Sequence, residues 1–397
     1  MALSSGGGAG VRPAGVPGTA AATPPRRGAI RVVVTGTDPS PARGGIAFAM
    51  PGYLAALKAA GLFAAFVPTY RRQRLSDKWW PALRALWLVP RAVRRIRREG
   101  GIPVVYAHAG GGSSPFREGI VLAVARFAGA LTLVQLHSVG IDAYVARPML
   151  RFLLRVAVAP AHVVCGLTEY WRVRLVAAGL RQPVLVVPNP LPPEYEAIAR
   201  RAAPRTPATK PAVVVLIVTR LVRAKGVELL VRAAEHLPPS FEVVVAGDGP
   251  ERSRLEALAK ACGLEGRVRF VGWIDGARKH AMLESADVFC LPTQYDSFGM
   301  GIVEAMCHGL PVVALRWGAI PDVVAEGTSA LLIDDPDPVL LAQAIARLGD
   351  AALRTSLGEG GRRVALQRYG AAAVGQTLAT QLAALPAMRR RVEAMAR

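Results

Sequence analysis

The chain has 397 residues, of which 52% are apolar, with 49 Lys and Arg against 28 Asp and Glu, and four Cys. This apolar content excludes wholesale disorder, and the length indicates two or three domains with their own cores. The Cys show no C-x-x-C spacing, so we expect neither a disulfide framework nor a structural zinc site, and a reducing cytoplasm is the simplest compartment. No apolar run reaches the roughly 20 residues that a membrane span needs.

The N-terminal half carries most of the positive charge. Residues 1–28 are rich in Gly, Ala, Pro and Arg, which predicts a disordered leader. Residues 1–208 hold 27 basic and 8 acidic side chains, whereas residues 209–397 hold 22 and 20. This asymmetry indicates that the first half faces an anionic partner.

The densest basic segment, residues 71–98, has ten basic residues, one acidic residue and three Trp. A helix after Pro81 would place Leu83, Leu86 and Trp87 on one apolar stripe flanked by basic residues, which is typical of an interfacial membrane helix. The alternatives are an ordinary helix with its stripe in the core, and a nucleic-acid surface, which no motif supports. The basic residues expected to face the membrane are Arg94, Arg95, Arg97 and Arg98.

Short β-branched runs alternate with helical patterns along the chain, which predicts parallel sheets covered by helices on both faces. The first group of runs lies at 30–35, 63–68, 102–107, 131–136, 161–167 and 183–188. The second group lies at 212–219, 241–246, 267–272, 287–292, 311–315 and 329–333, with helices expected near 225–236, 251–262, 276–285, 301–308 and 337–347.

A Pro-rich, polar stretch at 189–210 separates the two groups and reads as a linker or hinge. We therefore predict two doubly wound, Rossmann-like α/β domains that face each other across a ligand-binding cleft. The expected divisions are a leader at 1–28, a first domain at 29–200, a linker at 201–210, a second domain at 211–370 and a helical segment at 371–397.

Residues 291–314 form the strongest candidate site. A strand ends at Pro292, and a loop with Asp296 leads to a helix that opens near Gly301 and carries Glu304. Backbone N–H groups at such a helix start bind anions, and carboxylates beside them suit sugar hydroxyls. The alternative is that Asp296 only caps the helix and that Glu304 is solvated.

Two further strand-to-helix turns carry candidate ligands for a phosphate. Arg220 and Lys225 follow the first strand of the second domain, where two cations near a helix N-terminus would form a diphosphate clamp. Gly44 and Gly45 follow the first strand of the chain and would allow close backbone approach.

Two histidines follow predicted strands of the first domain. His137 stands at a strand's carboxyl end and is expected in the active site, although a core histidine is the alternative. His108 occupies a similar position, and we expect it to contact the acceptor.

Seven motifs occur in the order found in retaining GT-B glycosyltransferases of family 4, and the chain resembles that family over about residues 30–370. They are G-G-I after the first strand, L-H-S at His137, V-V-P-N-P-L at 186–191, R-L-x-x-x-K-G at 220–226, A-G-D-G-P-E at 246–251, V-R-F-V-G at 268–272 and acid-x(7)-E at 296–304.

This resemblance implies a role for each site residue. Arg220 and Lys225 would hold the nucleotide diphosphate, Glu304 the ribose hydroxyls and Asp296 the donor sugar. His137 would lie near the sugar. Main-chain groups of Phe298, Gly299 and Met300 would touch sugar and phosphate, with Gly45 opposite. The first acid of the motif is usually Glu in the family, so Asp296 leaves the donor sugar open.

We therefore expect a retaining glycosyltransferase that moves a sugar from a nucleotide-diphosphate sugar to an acceptor hydroxyl, with no cofactor and no metal. The acceptor would be a lipid-linked molecule or a glycan in bacterial polysaccharide or glycolipid assembly. The protein would sit peripherally on the anionic inner face of the cytoplasmic membrane and would not bind nucleic acid. The alternatives are a non-catalytic sugar-nucleotide-binding or scaffold protein and a GT-B sugar-nucleotide epimerase.

Overall fold

A computed structural model describes residues 28–40, 45–71, 79–137, 140–201, 212–388 and residue 390. The leader expected at 1–28 and the linker expected at 201–210 lie outside the described residues, apart from Gly28 and Arg201. Gly44 also lies outside them.

A six-stranded parallel sheet forms the first half, with the strand order β2-β1-β3-β4-β5-β6. Its strands are β1 (Ile30–Thr37), β2 (Phe63–Tyr70), β3 (Ile102–Ala109), β4 (Leu131–Leu136), β5 (Val163–Gly166) and β6 (Val184–Val186). The helices are α1 (Gly45–Ala59), α2 (Trp80–Arg98), α3 (Ser114–Phe127), α4 (Ile141–Ala146), α5 (Pro148–Val158), α6 (Glu169–Ala177) and α7 (Pro193–Arg201).

A second six-stranded parallel sheet follows, with the order β12-β11-β10-β7-β8-β9. Its strands are β7 (Val213–Val218), β8 (Phe241–Ala246), β9 (Val268–Gly272), β10 (Val288–Leu291), β11 (Val312–Leu315) and β12 (Ala330–Ile333). The helices are α8 (Val227–Ala233), α9 (Arg252–Ala261), α10 (Gly276–Ser285), α11 (Met300–Cys307), α12 (Ile320–Val323), α13 (Pro338–Arg347), α14 (Ala351–Tyr369) and α15 (Ala371–Ala384). The predicted pair of Rossmann-like domains with parallel sheets is confirmed.

Both faces of the first sheet are buried, which is why its strands are continuously apolar. Successive residues of a strand point to opposite faces, so Val33 packs in one core cluster with Val89 of α2. Val32 packs in the other with Tyr53 of α1 and Leu378 of α15. Helix α15 therefore completes the core of the first domain.

The expected linker or hinge at 189–210 is partly wrong, because α7 occupies its middle and is folded onto the second half of the chain. Helix α7 packs against α11 and α14, and the backbone N–H of Leu191 donates to the carbonyl of Tyr369 at 2.7 Å. The Glu196 carboxylate accepts the N–H of Ala371 at 2.8 Å. The Pro-rich composition of this stretch does not indicate a helix, and the short helix α7 is held in place by these tertiary contacts.

Candidate functional site

Lys225 and Asp296 meet at the carboxyl ends of two neighbouring strands of the second sheet. Strand β7 leads into a 3-10 turn that ends at Lys225, and β10 leads into the loop that carries Asp296. The two strands pair directly, so their loops lie side by side. The Lys225 Nζ lies 2.6 Å from the Asp296 Oδ2, and each side chain is about one-fifth exposed.

Gly226, which follows Lys225, makes this close approach of the two loops possible. Its φ is +71°, and a Cβ there would stand 1.9 Å from the carbonyl oxygen of Pro292. No side chain fits between the two loops at this point, so glycine is required.

Asp296 also orders the loop that precedes α11. Its Oδ1 accepts the backbone N–H groups of Phe298 at 3.3 Å and Gly299 at 2.9 Å. The helix-capping alternative therefore describes part of what Asp296 does, while its other oxygen holds Lys225. The N–H groups of Phe298 and Gly299, which are expected to touch the donor, donate to Asp296, and Met300 begins α11.

The first domain fixes the same loop from the opposite side. Trp171 of α6 donates its indole N–H to the carbonyl of Ser297 at 2.7 Å, and the backbone N–H of Tyr170 donates to Asp322 at 2.6 Å. Phe298 is fully buried. The site loop is therefore held by both halves of the chain.

Glu304 is buried and ion-paired, which contradicts the alternative in which it is solvated. It is 4% exposed, and its Oε2 pairs with the Nζ of Lys279 on α10. Burial raises the pKa of Glu304, and the Lys279 ammonium opposes that rise. Lys279 also lies 5.2 Å from the Phe48 ring and 5.8 Å from the Tyr195 ring, so it joins α1 and α7 to the second domain.

Sequence reasoning missed Lys279. No motif marks it, and α10 reads as an ordinary surface helix. Its spatial neighbour Glu304 is 25 residues away in the chain. The only available signal was that a carboxylate in a buried helix needs a cationic partner.

Arg220 is exposed just beyond β7. Within the part of the chain that the structure describes, its guanidinium makes neither an ion pair nor a hydrogen bond. Its charge is therefore available to a ligand, whereas that of Lys225 is shared with Asp296.

His137 and His108 form a buried pair at the ends of β4 and β3. The Nε2 of His137 lies 2.8 Å from the Nδ1 of His108. Burial lowers the pKa of His137 to about 3, although a hydrogen bond with Asn189 acts in the opposite direction. Burial and the neighbouring His137 also hold the pKa of His108 well below its usual range. Both rings are therefore neutral at ordinary pH.

Only His137 of this pair reaches the surface, at 8% exposed, because His108 is completely buried. His108 packs against the rings of Tyr53 and Tyr106, at centroid distances of 4.4 Å and 4.5 Å. This placement contradicts the expected contact of His108 with an acceptor and makes it a support for His137.

Gly45 begins α1, and a Cβ added to it would meet no described atom within 4 Å. The space beside it is open, as a ligand approach requires. The close backbone approach expected at Gly44 and Gly45 stays a prediction.

Helix α2 exposes the apolar stripe expected to bind a membrane. Its core side is a different face, formed by Ala85, Val89 and Val93 with their neighbours. Leu83 and Trp87 are 56% and 58% exposed, whereas Leu86, the third residue of the stripe, is half-buried against the core. The alternative with the stripe in the core is therefore wrong for Leu83 and Trp87 and holds in part for Leu86. The four arginines Arg94, Arg95, Arg97 and Arg98 are all exposed.

Neighbouring helices extend this exposed surface. Helix α3 packs on α2, and α5 packs on α3. Further exposed apolar side chains on these two helices are Ile120, Phe127, Met149, Phe152 and Val156. Among the helices of the described ranges, none is long and apolar enough to cross a membrane.

Residues 200–364 match the family model described as glycosyl transferases group 1. The second domain of the chain is therefore similar to this family. The match spans the second sheet with Lys225, Asp296 and Glu304, whereas His137 lies outside it.

Curated relatives include LpsE of Rhizobium meliloti, a lipopolysaccharide core biosynthesis glycosyltransferase. It is 34% identical over 187 residues, which cover 47% of this chain and 54% of LpsE. Alpha-D-kanosaminyltransferase of Streptomyces kanamyceticus is 28% identical over 320 residues, which cover 76% of this chain and 81% of that enzyme. The chain spans about half the length of the first curated relatives it matches.

Solved structures extend the likeness to both domains. The Anabaena protein HepE, solved in complex with UDP-glucose, superposes with a TM-score of 0.65 at 19% identity, over 90% of this chain and 100% of HepE. The fold is therefore GT-B, with two Rossmann-like domains.

Proposed function

We propose that this chain transfers a glycosyl group from a nucleotide-diphosphate sugar to an acceptor hydroxyl, with retention of the anomeric configuration. The observation that carries the proposal is the junction of Lys225, Asp296 and the start of α11 at the ends of β7 and β10. Ligands of parallel α/β sheets bind at this end of the strands. The match to the group 1 family over the same residues supports it.

The cations would stabilise the leaving nucleotide diphosphate, which gains negative charge as the glycosidic bond breaks. Arg220 brings an unshared charge, and Lys225 is fixed in place by Asp296. Such preorganised groups, aimed where charge develops, supply a large part of enzymatic rate enhancement. Asp296 would accept hydrogen bonds from donor sugar hydroxyls, and Glu304 from the ribose.

His137 would contact the sugar as a neutral hydrogen-bonding group. The low pKa that burial imposes makes it a poor acid at neutral pH. The leaving phosphate would then take the acceptor's proton, and we propose same-face attack, which retains the configuration.

The acceptor would be a lipid-linked or glycan molecule in bacterial cell-surface polysaccharide or glycolipid assembly. The name of LpsE, a lipopolysaccharide core glycosyltransferase, supports this direction. Exposed Trp80 and Trp87 beside the α2 arginines support binding to an anionic membrane surface. We propose a peripheral location on the inner face of the cytoplasmic membrane.

Transfer assays with UDP- and GDP-sugars and a bacterial membrane extract as acceptor test the proposal. Arg220→Ala and Lys225→Ala should each lower kcat/KM by about 10²–10³. Arg223→Ala is the matched control, because Arg223 lies in the same turn but its guanidinium is paired with Glu251 at 3.6 Å. Unchanged transfer in both Arg220→Ala and Lys225→Ala would overturn the proposal.

The same assay separates the alternatives. An epimerase would release free nucleotide from the donor without an acceptor. A scaffold would bind the nucleotide but turn over nothing. The anomeric configuration of the product, read by NMR, tests retention.

A further inference from the structure

A second cavity lies in the first domain, at the carboxyl ends of β1, β2 and β3. The strand ends contribute Thr37 and Tyr70, and the loop into α3 contributes residues 110–114. Arg117 of α3, Ile46 of α1 and Trp79, just before α2, complete the wall. No carboxylate lines this cavity among the described residues.

Arg117 supplies the cation of the cavity, and its position is fixed on three sides. Its side chain is only 12% exposed, with Nε 3.2 Å from Glu118. One Nη donates to the hydroxyl of Ser114 at 3.0 Å, and the guanidinium lies 5.1 Å from the Tyr70 ring. Its other Nη has no acceptor in the described ranges and remains available.

Glu118 is the buried anchor that holds this arrangement. It has no exposed surface, and it accepts hydrogen bonds from Thr35 at 3.0 Å and from Thr69 at 2.6 Å. Two hydroxyl groups therefore hydrogen-bond the Glu118 carboxylate, and the Arg117 guanidinium contacts this carboxylate through its Nε alone. Asp38, which follows the cavity residue Thr37 in the chain, is paired with Arg71 at 2.7 Å.

The remaining wall is the start of helix α3. This helix begins at Ser114, has no acidic residue in its first turn and receives no side-chain cap from Ser113. The N–H groups of Ser114 and Arg117 donate to the carbonyls of Gly111 and Ser113, so the positive end of the helix dipole, and not a set of free N–H groups, favours an anion here. Tyr144 holds the loop in place by donating to the carbonyl of Gly112 at 2.7 Å.

We infer that this cavity binds the phosphate group of a phosphorylated acceptor. A fixed guanidinium with a free edge, and hydroxyls beside a helix N-terminus, are donors and a field of the kind that phosphate oxygens require. The inference rests on the proposed function, since it names the acceptor class of that enzyme. The phosphate would belong either to a membrane lipid or to a soluble sugar phosphate.

Two substitutions at Ser113 test the inference without removing a buried group. Ser113 is exposed, so Ser113→Asp and Ser113→Asn, whose side chains have nearly the same size and shape, should both fold like the wild type. They differ by one negative charge at the cavity wall. That charge should weaken phosphate binding about tenfold relative to Ser113→Asn.

Calorimetric titrations of the full chain, first saturated with UDP, provide the measurement. The probes are glucose 6-phosphate with glucose as its uncharged control, and dihexanoyl phosphatidic acid, a short-chain lipid, with dihexanoylglycerol. Binding of either phosphate probe that is weaker in Ser113→Asp than in Ser113→Asn supports the inference. The probe that binds identifies the source, soluble or lipid.

Absence of binding by both phosphate probes would overturn the inference, and so would equal binding in the two variants. UDP binding is measured first on each protein. A wild type that fails to bind UDP, GDP or ADP counts against the proposed function. Phosphate binding of equal affinity in Ser113→Asp and Ser113→Asn counts against the cavity as the binding site.

Discussion

Lys225 and Asp296 lie 71 residues apart in the chain, yet their side chains form a 2.6 Å ion pair across the ends of β7 and β10. Because the second oxygen of Asp296 accepts two N–H groups just before α11, one carboxylate links the cation to the turn that begins this helix. Moving any of the three parts disturbs the other two.

Replacing Asp296 separates its two tasks. Asp296→Asn keeps an oxygen for the loop N–H groups but loses the charge, so we expect stability within about 1 kcal/mol of the wild type. Transfer should fall about tenfold or more, since the partner of Lys225 and the acceptor for sugar hydroxyls are weakened. Asp296→Ala should lose stability as well. Thermal unfolding and kcat/KM measure both, and full activity in Asp296→Asn would show that the charge is not needed.

Gly226→Ala should destabilise the second domain severely. The new Cβ would meet the Pro292 carbonyl at 1.9 Å, in addition to the cost of the left-handed backbone. Gly263→Ala is the matched control, because Gly263 has a φ of +67° but open space around its Cβ. We expect about 1–2 kcal/mol for Gly263→Ala and a clearly larger loss for Gly226→Ala. Equal losses in thermal unfolding would contradict the close approach of the two loops.

The buried His137 predicts a loss of stability in acid. Its pKa is about 3 when folded and near 6.5 when unfolded, so between these values the unfolded chain binds the additional proton. Stability should therefore fall as pH drops below about 6.5, by roughly 2 kcal/mol at pH 5 for this one group. His137→Asn should flatten that part of the stability curve, whereas replacing the exposed His236 should not. A His137→Asn curve parallel to the wild type would refute the low pKa.

Reversing the charge of Arg94, Arg95, Arg97 and Arg98 should lower binding to anionic vesicles more than tenfold, since each basic residue near such a surface contributes about 1 kcal/mol. The matched control reverses four exposed arginines of the second half, namely Arg278, Arg347, Arg363 and Arg368. Vesicle flotation at two salt concentrations is the readout. Unchanged vesicle binding in the first variant, or an equal loss in the control, would contradict membrane binding through the α2 arginines.

The fold was predictable because its signals are local. Val-rich runs such as that of β1 (Ile30–Thr37) need both faces buried, and only a parallel sheet covered by helices provides this. All twelve strands lie where those runs predict them. The resemblance to a known family likewise implied that Lys225 and Asp296 belong to one site, and the two side chains form an ion pair.

What escaped prediction depends on contacts between distant parts of the chain. Helix α7 forms in a Pro-rich stretch because α11 and α14 cover it, and α15 returns to pack on α1. The partner of Glu304 is Lys279, which no motif marks. The burial of His108 follows from Tyr53 and Tyr106 closing around it, which a strand-end position does not reveal.

The measurement that tests the central assignment most directly is the thermal shift of the protein with UDP, GDP and ADP. A nucleotide at 100 times its Kd should add about 2.7 kcal/mol to the free energy of unfolding. We expect one of the three to produce such a shift, reduced in Lys225→Ala and in Glu304→Gln but retained in the neighbouring Arg223→Ala. No shift with any nucleotide, or equal shifts in all variants, would contradict a nucleotide-sugar site at the ends of β7 and β10.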